Sequence, residues 1–176
     1  MVEQYEHILT GIGQHGFVAW EGAFTNEAVQ AIRQELEHLQ QAEAFRKAGI
    51  GKEQDFQINA AERGDFIHWI TASEAAPATQ NALRCIEEIQ RAINRHLYLG
   101  IRDLECHYAY YPKGAGYKRH VDRHRQQSHR VVSMVIYLNP DWQPADGGEL
   151  RLYPTDGSVV NIAPKAGTLA LFLSDI

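Results

Sequence analysis

The sequence predicts an α+β fold in which helices form the first part of a single domain and short strands form the second. Apolar residues recur at helical spacing in two long segments before Gly100, and short apolar runs between Gly and Pro turns follow it. A length of 176 residues suits one domain with a real core. We therefore expect one domain over 1–176, with helical support over about 1–100 and strands that close as a sandwich or barrel over about 101–176.

Three helices are predicted in the first hundred residues. The first covers about Gln4 to Gly13. Thr25 or Asn26 caps the second, and the third follows Pro77 and is stopped by Gly100. The apolar faces consist of Val29, Ile32, Leu36 and Leu39 in the second helix and of Leu83, Ile86, Ile89, Ile93 and Leu97 in the third.

Strands are predicted where β-branched and aromatic residues run between turn signals. The run at 131–138 is almost continuously apolar, which favours a strand buried on both faces. Residues 51–63 are polar and contain Gly, so they are expected to connect two elements. The predicted strands are 17–20, 66–70, 104–111, 131–138, 149–153, 158–162 and 168–173.

Composition argues against several classes of function. The formal net charge of −5 disfavours a surface for duplex nucleic acid, although 118–130 forms a local basic patch. The first residues are acidic, unlike a signal peptide, and no apolar stretch approaches the roughly 20 residues of a membrane span. Cys85 on a helix and Cys106 in a strand are expected to be packing residues. These features predict a cytoplasmic protein without nucleic-acid or membrane partners.

His120 and Asp122 are the strongest candidates for chemistry. In an extended segment, residues two apart point to the same face, so an imidazole nitrogen and a carboxylate oxygen can meet one metal ion. Two His and one carboxylate around iron(II) leave three positions open for a cosubstrate and dioxygen. The spacing by itself is common, and it leaves open the alternative of a solvated pair at a strand end.

Four motifs around this pair resemble those of the prolyl hydroxylase family of iron(II)- and 2-oxoglutarate-dependent dioxygenases. They follow the family's order between residues 63 and 173, and the turn before the pair is one residue shorter than in the family. Four motifs in one order are far more specific than one pair. The motifs are Arg63-Gly64-Asp65-Phe66-Ile67-His68-Trp69-Ile70, the segment from Tyr110-Tyr111-Pro112 to Tyr117-Lys118-Arg119-His120-Val121-Asp122, Tyr137-Leu138-Asn139-Pro140-Asp141-Trp142, and Gly147-Gly148-Glu149-Leu150-Arg151.

The resemblance implies a double-stranded β-helix, or jelly-roll barrel, and a role for each matching residue. His120 and Asp122 would be catalytic iron ligands. Tyr137 would offer its phenol to the distal carboxylate of 2-oxoglutarate, and Tyr111 would hydrogen-bond near the iron. The residues implied to contact the substrate are Arg130 at its entrance, Arg63 and Asp65 in a closing loop, and Trp69.

The residues themselves leave ordinary alternatives to these roles. Tyr137 can be a buried tyrosine bonded to backbone, Tyr111 an aromatic beside a turn, and Arg130 part of a solvated basic face. His124 and His129 lie close to the pair in sequence but are expected to be exposed rather than ligating.

The activity implied by the resemblance is hydroxylation of a prolyl residue to 4-hydroxyproline in a protein or peptide. Fe(II) would be the cofactor, 2-oxoglutarate and O2 the cosubstrates, and ascorbate a candidate reductant. A translation elongation factor is one candidate substrate. The alternatives are an inactive jelly-roll binding module, a hydroxylase of a non-prolyl substrate, and a zinc enzyme that uses His120, Asp122 and His124.

The pattern departs from the family at the C-terminal end. The family adds a second His shortly after a Ser-Asp pair, and then an Arg that pairs with 2-oxoglutarate. This sequence ends at Leu173-Ser174-Asp175-Ile176. We expect the C-terminal strand, the distal His and the Arg to be missing by truncation. The activity would then be impaired, because a buried anion without its charge partner is costly.

Overall fold

The computed structural model describes residues 2–49, 59, 62–123 and 130–176. Within these ranges the presence of both helices and strands confirms the predicted mixture of α and β structure, although three of the strands precede the last helix. A 3₁₀ turn covers Pro144–Asp146. The helices are α1 (Val2–His15), α2 (Asn26–Gln41) and α3 (Pro77–Leu97), and the strands are β1 (Phe17–Trp20), β2 (Arg46–Lys47), β3 (Phe66–Trp69), β4 (His107–Tyr110), β5 (Val132–Ile136), β6 (Leu150–Leu152), β7 (Val160–Ile162) and β8 (Leu169–Leu173).

The second and third helices begin where capping chemistry predicts. The Thr25 hydroxyl accepts a hydrogen bond from the Ala28 N–H at 3.3 Å, so Thr25 is the N-cap of α2. Val29 and Ile32 then bury the apolar face of that helix. Pro77 occupies the first turn of α3, where its missing N–H costs no hydrogen bond.

The end of α3 differs from the prediction in detail. The helix stops at Leu97 because Tyr98, rather than Gly100, takes the left-handed conformation that ends it, with φ of 55°. Asn94 closes this end, because its side chain donates to the Ile101 carbonyl and accepts from the Ile101 N–H, both at 2.7 Å.

The described strands form two three-stranded antiparallel sheets and a hairpin. One sheet has the order β1-β8-β5, the second has the order β2-β3-β4, and β6 pairs with β7. The short strand β2 was not predicted, and β4 is shorter than the predicted 104–111. Cys106 therefore lies just before β4, although its carbonyl still accepts from the Ile70 N–H at 2.9 Å.

The most buried strand is β8 rather than β5. Leu169, Ala170 and Leu171 in β8 have no exposed surface, because β8 lies between β1 and β5. Every residue of β5 is only partly buried. The prediction that the strand in 131–138 is buried on both faces is confirmed in part, because Met134 and Ile136 pack in one apolar cluster and Val135 in the other, but each residue keeps some exposed surface.

Alternate residues of β8 face two different layers. Leu169 and Leu171 pack with α1 and α3, and each such burial contributes roughly 1.5–3 kcal/mol. Ala170 and Phe172 pack with the β6–β7 hairpin, and Tyr137 joins the same cluster. We call this second side the hairpin face of the β1-β8-β5 sheet.

No helix among the described residues is both long and apolar enough to cross a membrane.

Candidate metal centre

The candidate site lies on the segment between β4 and β5. Its first part runs beside residues 62–64, where the Gly64 N–H donates to the Gly116 carbonyl at 3.0 Å and the Lys118 N–H donates to the Glu62 carbonyl at 2.9 Å. Its last part meets the end of β8, where the Arg123 N–H donates to a carbonyl at 2.9 Å. The segment is therefore held at both ends by residues distant in sequence.

His120 and Asp122 converge in the middle of this segment. The distance from His120 Nε2 to Asp122 Oδ1 is 3.1 Å. His120 Nδ1 lies 2.6 Å from the Lys118 carbonyl, so this nitrogen carries the donated proton and Nε2 faces the carboxylate. Burial lowers the pKa of His120, but the hydrogen bonds to Asp122 and Lys118 outweigh it and leave the pKa raised. A positive charge between Nε2 and Oδ1, carried by a proton or a metal ion, is therefore favoured.

The second oxygen of Asp122 is held by other residues. The Ser133 hydroxyl donates to Oδ2 at 2.5 Å, and Arg130 Nη1 lies 3.5 Å from the same atom. Ser133 also contacts the Ser174 hydroxyl at 3.0 Å. Burial raises the pKa of Asp122, but hydrogen bonds from His120 and Ser133 and the Arg130 charge lower it to about 2. Asp122 is therefore a carboxylate at neutral pH, with Oδ1 turned towards the imidazole.

An aromatic stack supports the imidazole from the side. The Tyr117 and His120 rings are 3.5 Å apart between centroids, with 18° between their planes. The Arg63 guanidinium lies 4.7 Å from the Tyr117 centroid. Arg63 in turn binds both oxygens of the fully buried Asp65, at 2.8 and 3.0 Å. The pair predicted to belong to a closing loop is thus an ion pair beneath the metal segment, and its contact with substrate stays a prediction.

Two tyrosines and a histidine lie near this cluster. Burial, followed by the charge of Asp65, raises the pKa of Tyr111 to about 12. Burial, followed by the proximity of Tyr111, also raises the pKa of Tyr137. Burial, followed by the charge of Arg63, lowers the pKa of His107. Tyr137 and His107 are therefore poorly solvated, whereas 45% of the Tyr111 surface is exposed, and the charges of the candidate site reach His107 and Tyr111.

The remaining residues predicted to contact substrate, Trp69 and Arg130, are exposed. Trp69 is 54% exposed, and its ring meets the His107 ring at 5.0 Å, edge to face. Arg130 is 43% exposed at its side chain. His124 and His129 lie outside the described residues. The substrate roles of Trp69 and Arg130 stay predictions.

Sequence analysis missed three residues of the site. Tyr117 could have been found from its position three residues before His120, within the motif already singled out. Ser133 could have been found from strand alternation, because it shares a face with Tyr137. No local signal could have found Ser174, whose contact with Ser133 depends on the pairing of β5 with β8.

The donors present suit part of an iron(II) coordination shell. One imidazole nitrogen and one carboxylate oxygen are two members of a 2-His-1-carboxylate set. In the ranges that the structure covers, no group of three or more His, Cys, Asp and Glu side chains could hold a metal ion. Arg151, in the last of the four motifs, donates to Asn161 on an exposed surface at 2.9 Å.

Comparisons with known proteins agree with this chemistry. The family model of the 2OG-Fe(II) oxygenase superfamily matches residues 106–176. A Pseudomonas putida prolyl-4-hydroxylase of known crystal structure has 36% sequence identity to this chain. The TM-score is 0.87, and the match covers 96% of this chain and 86% of that one. A Trichoplax adhaerens prolyl hydroxylase, solved with a hypoxia inducible factor oxygen degradation domain peptide, is 29% identical, with a TM-score of 0.88 and coverage of 98% and 79%.

A much longer protein also matches this chain. The hypoxia-inducible factor prolyl hydroxylase of Caenorhabditis elegans is 25% identical over 181 residues. The match covers 97% of this chain but 25% of that protein, so the chain spans about a quarter of the length of this curated relative.

Proposed function

The chain belongs to the prolyl hydroxylase family of 2-oxoglutarate- and iron(II)-dependent oxygenases, and from this membership we propose that it hydroxylates a prolyl residue in a protein or peptide. His120 and Asp122 would hold iron(II), and 2-oxoglutarate and O2 would be cosubstrates. We further propose that the two sheets and the β6–β7 hairpin form a jelly-roll core around this site.

The proposal rests on the contact between His120 and Asp122. His120 Nε2 and Asp122 Oδ1 face each other at 3.1 Å, and the other polar atom of each side chain is already engaged by Lys118 or Ser133. The two atoms left over are one nitrogen and one oxygen, which suit iron(II). Partners that fix the tautomer of a ligating His and the orientation of a carboxylate are typical of metal sites.

The roles of the chain's own residues follow from this arrangement. When bound, iron(II) supplies a site where 2-oxoglutarate and O2 react so that an unactivated C–H bond can be hydroxylated. Asp122 would bind through one oxygen while Ser133 holds the other. Tyr137 and Tyr111 would contact 2-oxoglutarate, and the burial of Tyr137 would make its hydrogen bond stronger than the same bond in water.

The substrate would approach from the exposed side. Trp69 supplies an exposed aromatic surface, and Arg130 presents a guanidinium beside Asp122. An aromatic ring and a guanidinium suit an extended proline-containing peptide, because both groups are common anchors in peptide interfaces. A translation elongation factor as the substrate, ascorbate as a reductant and a cytoplasmic location stay predictions.

Anaerobic titration with iron(II) and 2-oxoglutarate tests the metal site. We expect the weak visible charge-transfer band of the ternary complex, and we expect His120→Ala to abolish it. His96→Ala, which removes an exposed imidazole from the last turn of α3, is the matched control and should leave the band unchanged. A band that persists in His120→Ala would refute the assignment of this ligand.

Turnover is tested separately with proline-containing peptides in air. We expect succinate release coupled to an increase of one oxygen atom in peptide mass. Iron and 2-oxoglutarate binding without peptide oxidation would favour a non-prolyl substrate. Zinc binding without affinity for 2-oxoglutarate would favour the zinc enzyme, and absence of metal binding would favour an inactive binding module.

A further inference from the structure

The Arg119 guanidinium lies over the ring of Tyr153. The distance from its central carbon to the ring centroid is 3.8 Å. Such a cation–π contact is attractive, because the face of an aromatic ring carries partial negative charge. Arg119 directly precedes His120 in the chain, so the contact acts on the backbone next to a proposed metal ligand.

Tyr153 is held in place by the β6–β7 hairpin. It follows Leu152, the last residue of β6, which is 3% exposed and packs with Ala170 and Phe172 on the hairpin face. The next residue, Pro154, is buried and has a restricted φ. Tyr153 therefore has a firmly placed residue on each side, and its ring is a fixed support for the Arg119 side chain.

The segment that carries His120 needs support from outside. Residues 118–123 belong to no helix or strand, so no ladder of hydrogen bonds fixes their backbone. The Lys118 N–H donates to the Glu62 carbonyl and the Arg123 N–H donates to the Ser174 carbonyl, both at 2.9 Å. Between these two attachments, the side chain of Arg119 joins the segment to the hairpin.

Two cation–π contacts thus flank His120 from different parts of the fold. Arg63, next to β3, lies 4.7 Å from the Tyr117 centroid, and the Tyr117 ring stacks on the imidazole. Arg119 contacts the hairpin instead. The first contact supports the plane of the imidazole, and the second supports the backbone from which the imidazole extends.

We propose that the contact between Arg119 and Tyr153 positions His120 for metal binding by fixing its segment against the β6–β7 hairpin. The inference rests on the proposed function, because it needs His120 to be a metal ligand. The alternative is a surface contact that stabilises the fold slightly and has no effect on the metal. The Arg119 charge separates the two, because a nearby positive charge by itself opposes the binding of a cation.

Calorimetric titration of the whole chain with Mn(II) tests this assignment. Tyr153→Leu removes the aromatic face, Arg119→Gln removes the guanidinium, and a third protein carries both changes. We expect each single variant to bind Mn(II) about two- to fivefold more weakly than wild type. The double variant should bind no more weakly than the weaker single variant, because both changes break one contact. Tyr153→Phe keeps the aromatic face and should bind like wild type.

Arg151→Gln is the matched control for charge. Arg151 lies on the same hairpin and donates to Asn161 on an exposed surface, so its removal deletes one positive charge and leaves the Arg119–Tyr153 contact intact. This variant should bind Mn(II) at least as tightly as wild type. Urea unfolding of each metal-free protein, which should be cooperative, shows that the variants are folded.

Three results would overturn the proposal. They are wild-type Mn(II) affinity of Tyr153→Leu, affinity of Arg119→Gln equal to or above that of wild type, and an equal loss in Tyr153→Phe and Tyr153→Leu. If Tyr153→Leu does not fold, the exposed Arg119→Gln variant still decides the question. Failure of the wild-type chain to bind Mn(II) would overturn the proposed function as well, whereas the other three results leave wild-type binding intact.

Discussion

The Tyr117 ring lies parallel to the His120 imidazole, with 3.5 Å between the centroids. This contact fixes the plane of a ring whose Nδ1 is already held by the Lys118 carbonyl. The orientation of Nε2 therefore depends on an aromatic neighbour as well as on a hydrogen bond.

Replacing Tyr117 should weaken metal binding. An aromatic pair contributes about 0.5–1.5 kcal/mol, so Tyr117→Leu should reduce Mn(II) affinity by roughly two- to tenfold. Tyr117→Phe keeps the ring and should bind metal like wild type. Equal affinities of the Leu and wild-type proteins, measured by calorimetry, would show that the stack does not position His120.

Removing the Ser133 hydroxyl should loosen Asp122. Loss of a hydrogen bond to a ligating carboxylate typically lowers metal affinity by about 10–100-fold, and we expect Ser133→Ala to fall in this range. Ser158→Ala, at an exposed position far along the chain, is the control. The two variants should be compared by Mn(II) titration, and an unchanged affinity in Ser133→Ala would contradict the role assigned to its hydroxyl.

Breaking the Arg63–Asp65 pair should destabilise the fold. Arg63→Met leaves the fully buried Asp65 carboxylate without its partner, which should cost about 3–5 kcal/mol in the free energy of unfolding. The neighbouring Lys118–Glu62 pair is exposed at both side chains, so Lys118→Met should cost less than about 1 kcal/mol. Urea unfolding measures both, and similar losses in the two variants would contradict this distinction.

Glu35 should be important for the docking of α2 on α3. Its carboxylate accepts from the Ala76 N–H at 2.9 Å, from the Thr79 hydroxyl, and from the Tyr108 hydroxyl at 2.9 Å. Glu35→Ala would remove the carboxylate that the buried Thr79 and Tyr108 hydroxyls share and leave these two only their mutual hydrogen bond at 2.6 Å, so we expect a loss of about 2–4 kcal/mol. Glu37→Ala, which removes only the exposed contact with an Arg on the same helix, should change stability by less than about 0.5 kcal/mol. Chemical denaturation distinguishes the two.

A histidine appended to the chain should reach the metal site. The Arg123 N–H donates to the Ser174 carbonyl at 2.9 Å, so the residues after Ser174 run close to Asp122. A short extension after Ile176 that contains one His should therefore bind Mn(II) more tightly than the unextended chain. The same extension with Gln in place of His is the control, and equal affinities of the two extended proteins would refute the prediction.

Local sequence patterns predicted the elements well and their partners poorly. Spacing and capping identified α2 and α3, because the helical period and the caps depend on nearby residues. The motif around His120 and Asp122 likewise identified residues that meet in space. By contrast, the burial of β8 and the contact between Ser133 and Ser174 depend on which strands pair, and no local pattern encodes that choice.

The central place of β8 has a consequence for biosynthesis. Its partner β1 is made about 150 residues earlier, since Phe17 pairs with Phe172. During translation, α1 and β1 therefore keep apolar surface exposed, because β1 cannot pair with β8 until β8 has been synthesised. Changes that slow this long-range pairing should first appear as aggregation and lower yield in the cell, before any defect is detectable in the purified protein.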